Sequence, residues 1–151
     1  MYPLGHFAIS YFLVNLLKRF HKEEYNLPAV LIASVLPDID IIFHRYIAHR
    51  GPTHSIITMT LAFIPVYLYF RKGIPYYVSL LSHSLIGDHF TAYGTQLFWP
   101  LTKNWYRAPS QLIINGRELI ITESALFITM LIHIIYTKRK KSAHPDGKPS
   151  S

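Results

Sequence analysis

The sequence predicts an all-α protein, an up-and-down bundle of about five mostly apolar, membrane-associated helices with a long irregular loop between the last two. Three observations carry this. Half of the 151 residues are apolar and only 15% carry a formal charge, against roughly 25% in ordinary soluble domains. Apolar runs recur along the chain; IITMTLAFIPVYLYF has no charge, and LIITESALFITMLIHIIY is interrupted only by Glu123 and His133 as strongly polar residues. Basic residues gather just beyond such runs, at Lys18, Arg19 and Lys22, at Arg71 and Lys72, and from Lys138 to Lys141, where juxtamembrane anchors belong.

The elements follow in order. Apolar runs and breakers place helices at about 4–20, 27–44, 53–71, 74–89 and 117–137, in a single domain over 1–141, with a disordered polar tail over 142–151. The first run, FAISYFLVNLL, lacks the basic flank and small-residue cleavage site of a signal peptide, so it reads as mature structure. Helix 3 opens after Gly51-Pro52 with Thr53 as its natural N-cap, and Pro65 predicts a kink inside it. The stretch from Thr91 to Gly116 is rich in Trp, Tyr, Pro and Gly and lacks periodicity, so it reads as a long connection. Its aromatics suit a membrane–water boundary and, equally, packing on a soluble core. Asn115-Gly116 ends the loop before the last helix rather than turning a β-hairpin, because the run that follows is too long for a strand.

Fifteen Lys and Arg against eight acids raise the question of nucleic acid, but the basic residues clump beside apolar runs instead of lining one face. No nucleic-acid partner is expected; membrane lipid is. The chain contains no cysteine, which leaves His, Asp and Glu as the strong metal ligands.

In an up-and-down bundle four helix ends meet. They carry His6; Asp38, Asp40 and His44; His49 and His54; and His83 and Asp88. Every aspartate except Asp146 falls there, together with most of the histidines. Imidazole with carboxylate suits zinc first, with manganese or iron as alternatives, in a site open to water. Asp40 and His44 lie four apart, one turn along a helix face. His83 and Asp88 lie five apart, about 140° around an ideal helix, so both reach one site only if the helix end unwinds. Taken singly, PDID is a helix stop, HRGPTHS fits a turn with a cap as well as it fits chemistry, and His6 is a core or surface histidine. Glu123, inside an apolar helix, fits a hydrogen bond to a neighbouring helix as well as it fits catalysis.

LGHFAIS around His6, LPDID at 36–40, HRGPTHS at 49–55 and SHSLIGDHFTAYGTQLFWPL at 82–101 together resemble the YdjM-like family, described as LexA-binding, inner-membrane-associated, metal-dependent hydrolases. The likeness covers most of residues 1–140. It implies an all-helical membrane protein with a metal site made from those His and Asp residues, and a more distant similarity to zinc-dependent phospholipase C and nuclease folds. The chain departs from the pattern in the fourth motif, where the family's His and Asp lie one turn apart.

The function expected is hydrolysis of an anionic ester, such as a phospholipid or phosphoester, by a metal-activated water. Metal ligands are drawn from His6, Asp38, Asp40, His44, His54, His83 and Asp88, and Asp40, His54, His83 and Arg50 are assigned to catalysis, with Arg50 holding the substrate anion. The alternative is a non-enzymatic membrane adaptor or metal-responsive regulator using the same site structurally. A soluble phosphohydrolase of HD type is disfavoured, since no His-Asp dipeptide occurs. Nine basic residues at the clumped ends against five at the motif end predict a multi-pass protein with its basic ends in the cytoplasm.

Overall fold

The structure, a computed structural model, describes residues 1–143. It is all-α, with five α-helices and no strand among the described residues: α1 (Pro3–Leu17), α2 (Leu27–Val35), α3 (Ile56–Phe70), α4 (Ile74–Ser82) and α5 (Gly116–Ala143). Of the tail expected over 142–151, the first two residues extend α5 and the rest lie outside the described residues. α1 packs against α2, α4 and α5, α2 against α4, and α3 against α4.

Local chemistry sets the helix ends. Prolines near the starts of α1, α2 and α4 occupy first-turn positions, where the missing N–H has no intrahelical partner to lose. Asn26 caps α2, its side chain accepting from Ala29 N at 3.1 Å. α2 ends at Val35 because Pro37 cannot donate to the preceding turn, and the chain tightens into a 3-10 segment over Leu36–Phe43. The cap of α3 is Ser55, which accepts from Ile57 N at 3.2 Å. Thr53, expected in that role, spends its hydroxyl on Asp40 Oδ2 at 2.7 Å, so the α-helix begins three residues later than expected. Pro65 lies inside α3 without ending it.

The distribution of polarity runs opposite to that of a soluble domain. Ser10, Ser34, Ser79 and Ser82 are all buried where α1, α2 and α4 meet. Ser10 and Ser82 share a hydrogen bond of 2.8 Å, and Ser79 donates to the Val30 carbonyl at 2.6 Å. Small and hydroxyl side chains at helix contacts allow the close backbone approach by which membrane helices associate. Large apolar residues meanwhile face outward, among them Leu61, Leu68 and Phe70 on α3 and Ile121, Ile128 and Ile132 on α5. Among the described residues one helical stretch, Gly116–Lys140, is long and apolar enough to cross a bilayer. α1 and α3, at 15 residues each, extend about 22 Å and fall short of a hydrocarbon core of roughly 30 Å.

The loop after α4 is closely tied to the rest. Ile56 N donates to Leu97 O at 2.9 Å, Gln96 N to Arg50 O at 3.0 Å and Ile114 N to Phe90 O at 3.0 Å. Thr95 and Tyr106 form an isolated antiparallel bridge. Its central residues Thr95, Gln96 and Leu97 are therefore buried and brace the HRGPTHS segment from behind.

Glu123 is 2% exposed and accepts from Tyr2 N at 2.9 Å and Gly5 N at 3.2 Å. It caps α1 from α5, supplying an acceptor to amides that a helix start leaves unpaired. Gly5 makes room for it, since a Cβ there would come within 2.8 Å of Glu123 Cγ. Glu123→Ala is expected to cost about 1–3 kcal/mol, the range for unpairing buried donors from a charged acceptor. Thermal unfolding in detergent tests this; an unchanged Tm would rule out the capping role.

Candidate metal centre

Two changes of helical pitch bring the polar residues together. α4 gives way to a π-helical turn over His83–Asp88, in which residue i pairs with i+5. A separation of five thus becomes one turn, and His83 and Asp88 share a face without unwinding. The 3-10 segment acts in the opposite sense. At three residues per turn, Asp40 and His44 are offset by about 120°, and His44 is exposed, with Nδ1 3.0 Å from the Ile41 carbonyl. It stands apart from the cluster.

Four side-chain atoms converge: Asp38 Oδ1, His54 Nε2, His83 Nε2 and Asp88 Oδ2, all within 4.8 Å of one another. The two imidazole nitrogens are 3.0 Å apart. Each lies 3.4 Å from the Asp38 oxygen and 3.5 Å from the Asp88 oxygen. Tetrahedral ligands at zinc bond lengths of about 2.0–2.1 Å sit roughly 3.3 Å from each other. Asp88 Oδ2 is fully buried without a hydrogen-bond partner, an orphan that a cation would satisfy. The residues present therefore fit a divalent ion. Asp38, 23% exposed on its side chain, is the most open of the four.

The remaining atoms of these ligands are fixed by neighbours. His83 Nδ1 donates to the Ser34 carbonyl at 2.7 Å, which fixes the tautomer with Nε2 free to bind. Behind His54 stands Asp40, fully buried, with Oδ2 3.3 Å from His54 Nδ1. Asp40 also accepts from His49 Nδ1 at 2.7 Å, Arg50 N at 3.0 Å and the Thr53 hydroxyl. A carboxylate behind a metal-binding imidazole orients the ring and raises its basicity. This places Asp40 next to His54 rather than among the four converging atoms. His6 stacks on His83 with ring centroids 3.8 Å apart and 11° between planes. Its own nitrogens are buried and unpartnered, with Nε2 3.7 Å from Asp88 Oδ1. Gly87 is obligatory beneath it, because a Cβ there would meet His6 Cε1 at 2.3 Å.

Arg50 adopts a left-handed backbone at φ 64°, a strained state for a side-chain-bearing residue. Its carbonyl and amide bonds to Gln96 and Asp40 hold it there. The guanidinium reaches Thr91 Oγ1 at 2.6 Å and Asp88 Oδ1 at 3.2 Å, and the Met1 amino group lies 2.7 Å from the same oxygen. His49, at 38% side-chain exposure, lines a surface cavity with Arg50 and has one ring nitrogen committed to Asp40. The adjacent sequence offered no sign of that pairing beyond the nine-residue spacing between them.

Burial alone would raise the carboxyl of Asp38, but hydrogen bonds from His54 and His83 hold it below the ordinary carboxylate range. Burial alone would lower the His54 imidazolium; the surrounding carboxylates of Asp38, Asp40 and Asp88 outweigh it and push His54 up to about 10. The two Nε2 atoms lie 3.0 Å apart, within hydrogen-bond distance, so a proton on His54 would be shared with His83.

The sequence matches the description YdjM inner membrane protein over residues 1–142. The chain belongs to this family. No curated protein and no solved structure matches it. The buried His/Asp cluster of this YdjM-family protein could thus hold a metal ion, with Asp38, His54, His83 and Asp88 as the geometric set.

Metal content separates these roles. His54→Ala should abolish bound metal, Asp40→Asn should weaken affinity by roughly 10–100-fold, and His44→Ala should leave content unchanged. Undiminished metal in His54→Ala would remove the centre. Because loading must displace the proton held by the His54–His83 pair, metal affinity should rise about tenfold per pH unit through the neutral range. Competition with a chelator at several pH values measures the slope; a flat profile would contradict the shared proton.

Proposed function

We propose that this YdjM-family membrane protein is a metal-dependent hydrolase of an anionic ester, with zinc as the preferred ion. The observation that carries the reading is the convergence of two imidazoles and two carboxylates, all within 4.8 Å of one another, beside the Arg50 guanidinium. A divalent ion at such a site supplies a Lewis acid and brings the pKa of a coordinated water toward about 7. The protein's own groups do the rest. Asp40 holds His54 in register, the Ser34 carbonyl holds His83, and Arg50 meets the substrate's negative charge with donors arranged for bidentate contact. Asp38, the least buried ligand, lies on the side where substrate enters. Around this site the apolar exterior supports a multi-pass arrangement, with α5 crossing the bilayer and α1 and α3 immersed beside it. The basic C-terminal end of α5 then faces the cytoplasm, with the site at the opposite end.

One observation favours the rival reading, a metal-stapled adaptor or regulator: four protein groups converge, the number that a closed structural site uses. Both readings predict that metal raises Tm. Only the first predicts turnover. Hydrolysis of aryl phosphate mono- and diesters by metal-loaded protein should vanish on chelation and return on adding zinc. Arg50→Gln should raise KM by about 10–100-fold, the equivalent of one charge-assisted pair, with metal content intact. Metal-dependent Tm without hydrolysis of any ester tried would select the structural role.

A further inference from the structure

We infer that the substrate is an amphiphile, its anionic head held at Arg50 and a single hydrocarbon chain lying in an apolar slot between α1 and α5. This rests on the hydrolase reading for its chemistry and on separate cavities for its shape. The first cavity, about 410 Å³, is lined by Arg50, Thr91, Tyr93 and Asn115 among others. Its neighbour is narrower, about 140 Å³, and is walled mainly by Ile9, Ile86, Phe90 and Leu126. Met1, Thr91, Ile114 and Leu119 line both, so the two abut, and we read them as one path with Arg50 and Asn115 at one end and apolar walls at the other.

Position and charge name the occupant. At the polar end the Arg50 guanidinium, 3.2 Å from Asp88 Oδ1, links the path to the metal centre, and Tyr93 lies against it with its ring 5.4 Å from Arg50 Cζ. The slot's α5 wall runs from Leu119 to Leu126, about 10 Å along the helix axis and away from the mouth toward the middle of the membrane-length stretch. That is the course a lipid chain takes from its headgroup. Water gains little in a slot with so few polar partners, whereas each methylene buried there is favourable. A free phosphate would use the mouth alone and leave the slot without function.

The test compares inorganic phosphate with n-alkyl phosphates from ethyl to octyl, titrated calorimetrically into metal-loaded protein in one non-ionic detergent. Affinity should rise about threefold to fourfold per added methylene until the slot is full, with inorganic phosphate weakest. Leu119→Trp and Thr122→Phe, which fill the slot from α5, should flatten that slope while metal content stays unchanged. Arg50→Gln should weaken every alkyl phosphate by a common factor and leave the slope. Equal slopes in the parent and both filled variants would overturn the inference by assigning chain binding to the micelle. Inorganic phosphate binding as tightly as octyl phosphate would also overturn it. A slot-dependent slope in protein that binds no metal would sustain the amphiphile site and remove the hydrolase reading.

Discussion

The site depends on keeping one carboxylate charged inside the protein. Asp40 has no exposure, and a buried carboxylate without partners would protonate or be expelled. Its partners all come from one short stretch, through His49, the Arg50 amide, the Thr53 hydroxyl and the His54 ring. These contacts tie the 3-10 segment after α2 to the entry of α3. They also explain why that entry is irregular: the Arg50 amide reaches Asp40 from a left-handed backbone, and a Cβ on Gly51 would come within 2.7 Å of the Ala48 carbonyl. HRGPTHS is therefore shaped around an anion, and His54 is held with Nδ1 3.0 Å from the Thr53 hydroxyl, which itself donates to Asp40, and 3.3 Å from Asp40 Oδ2.

Helical pitch does the remaining placement. An α-helix presents i and i+4 on one face, so a chain that kept α geometry throughout would align Asp40 with His44 and separate His83 from Asp88. The structure does the reverse at both ends. Pro37 forces the turn to tighten after α2, which turns His44 out to solvent. The π turn over His83–Asp88 widens the helix, and Gly87 lies on its inner wall, where His6 leaves no room for a side chain. Such turns cost hydrogen-bond geometry and occur at functional positions. The packing of His6 on His83 shows what this one accommodates.

Much of this was legible in the sequence. The five helices follow from apolar runs and breakers, and the meeting of four polar helix ends follows from short connections between antiparallel helices. The site's internal division of labour was not legible. Asp38 and Asp40 are equivalent in the string PDID, yet one faces the metal position and the other faces the ring behind it, because the 3-10 segment turns them about 120° apart. Thr53 had the composition of a cap, but a nearby buried anion competes better for its hydroxyl than a helix amide does. Glu123 showed its cost in an apolar run without showing its partner, since the amides it serves lie 118 and 121 residues away. Long-range pairing of this kind leaves no local pattern.

The same Glu123 bears on where the site sits in the membrane. It lies two turns into α5 and holds the first turn of α1 against that depth, so His6, at the start of α1, is carried below the level of Gly116. Taking the apolar stretch of α5 as the spanning segment, the metal position falls just inside the boundary where that stretch begins. The neighbouring 3-10 segment presents Ile41, Ile42 and Phe43 outward, each at least half exposed, with Arg45 two residues further on. Apolar residues followed by a cation suit a surface that is hydrocarbon on one side and anionic on the other. On the proposed reading, a polar centre at that level would meet molecules already sorted by the bilayer, charged end outward and chain inward, before any contact with Arg50 selected among them.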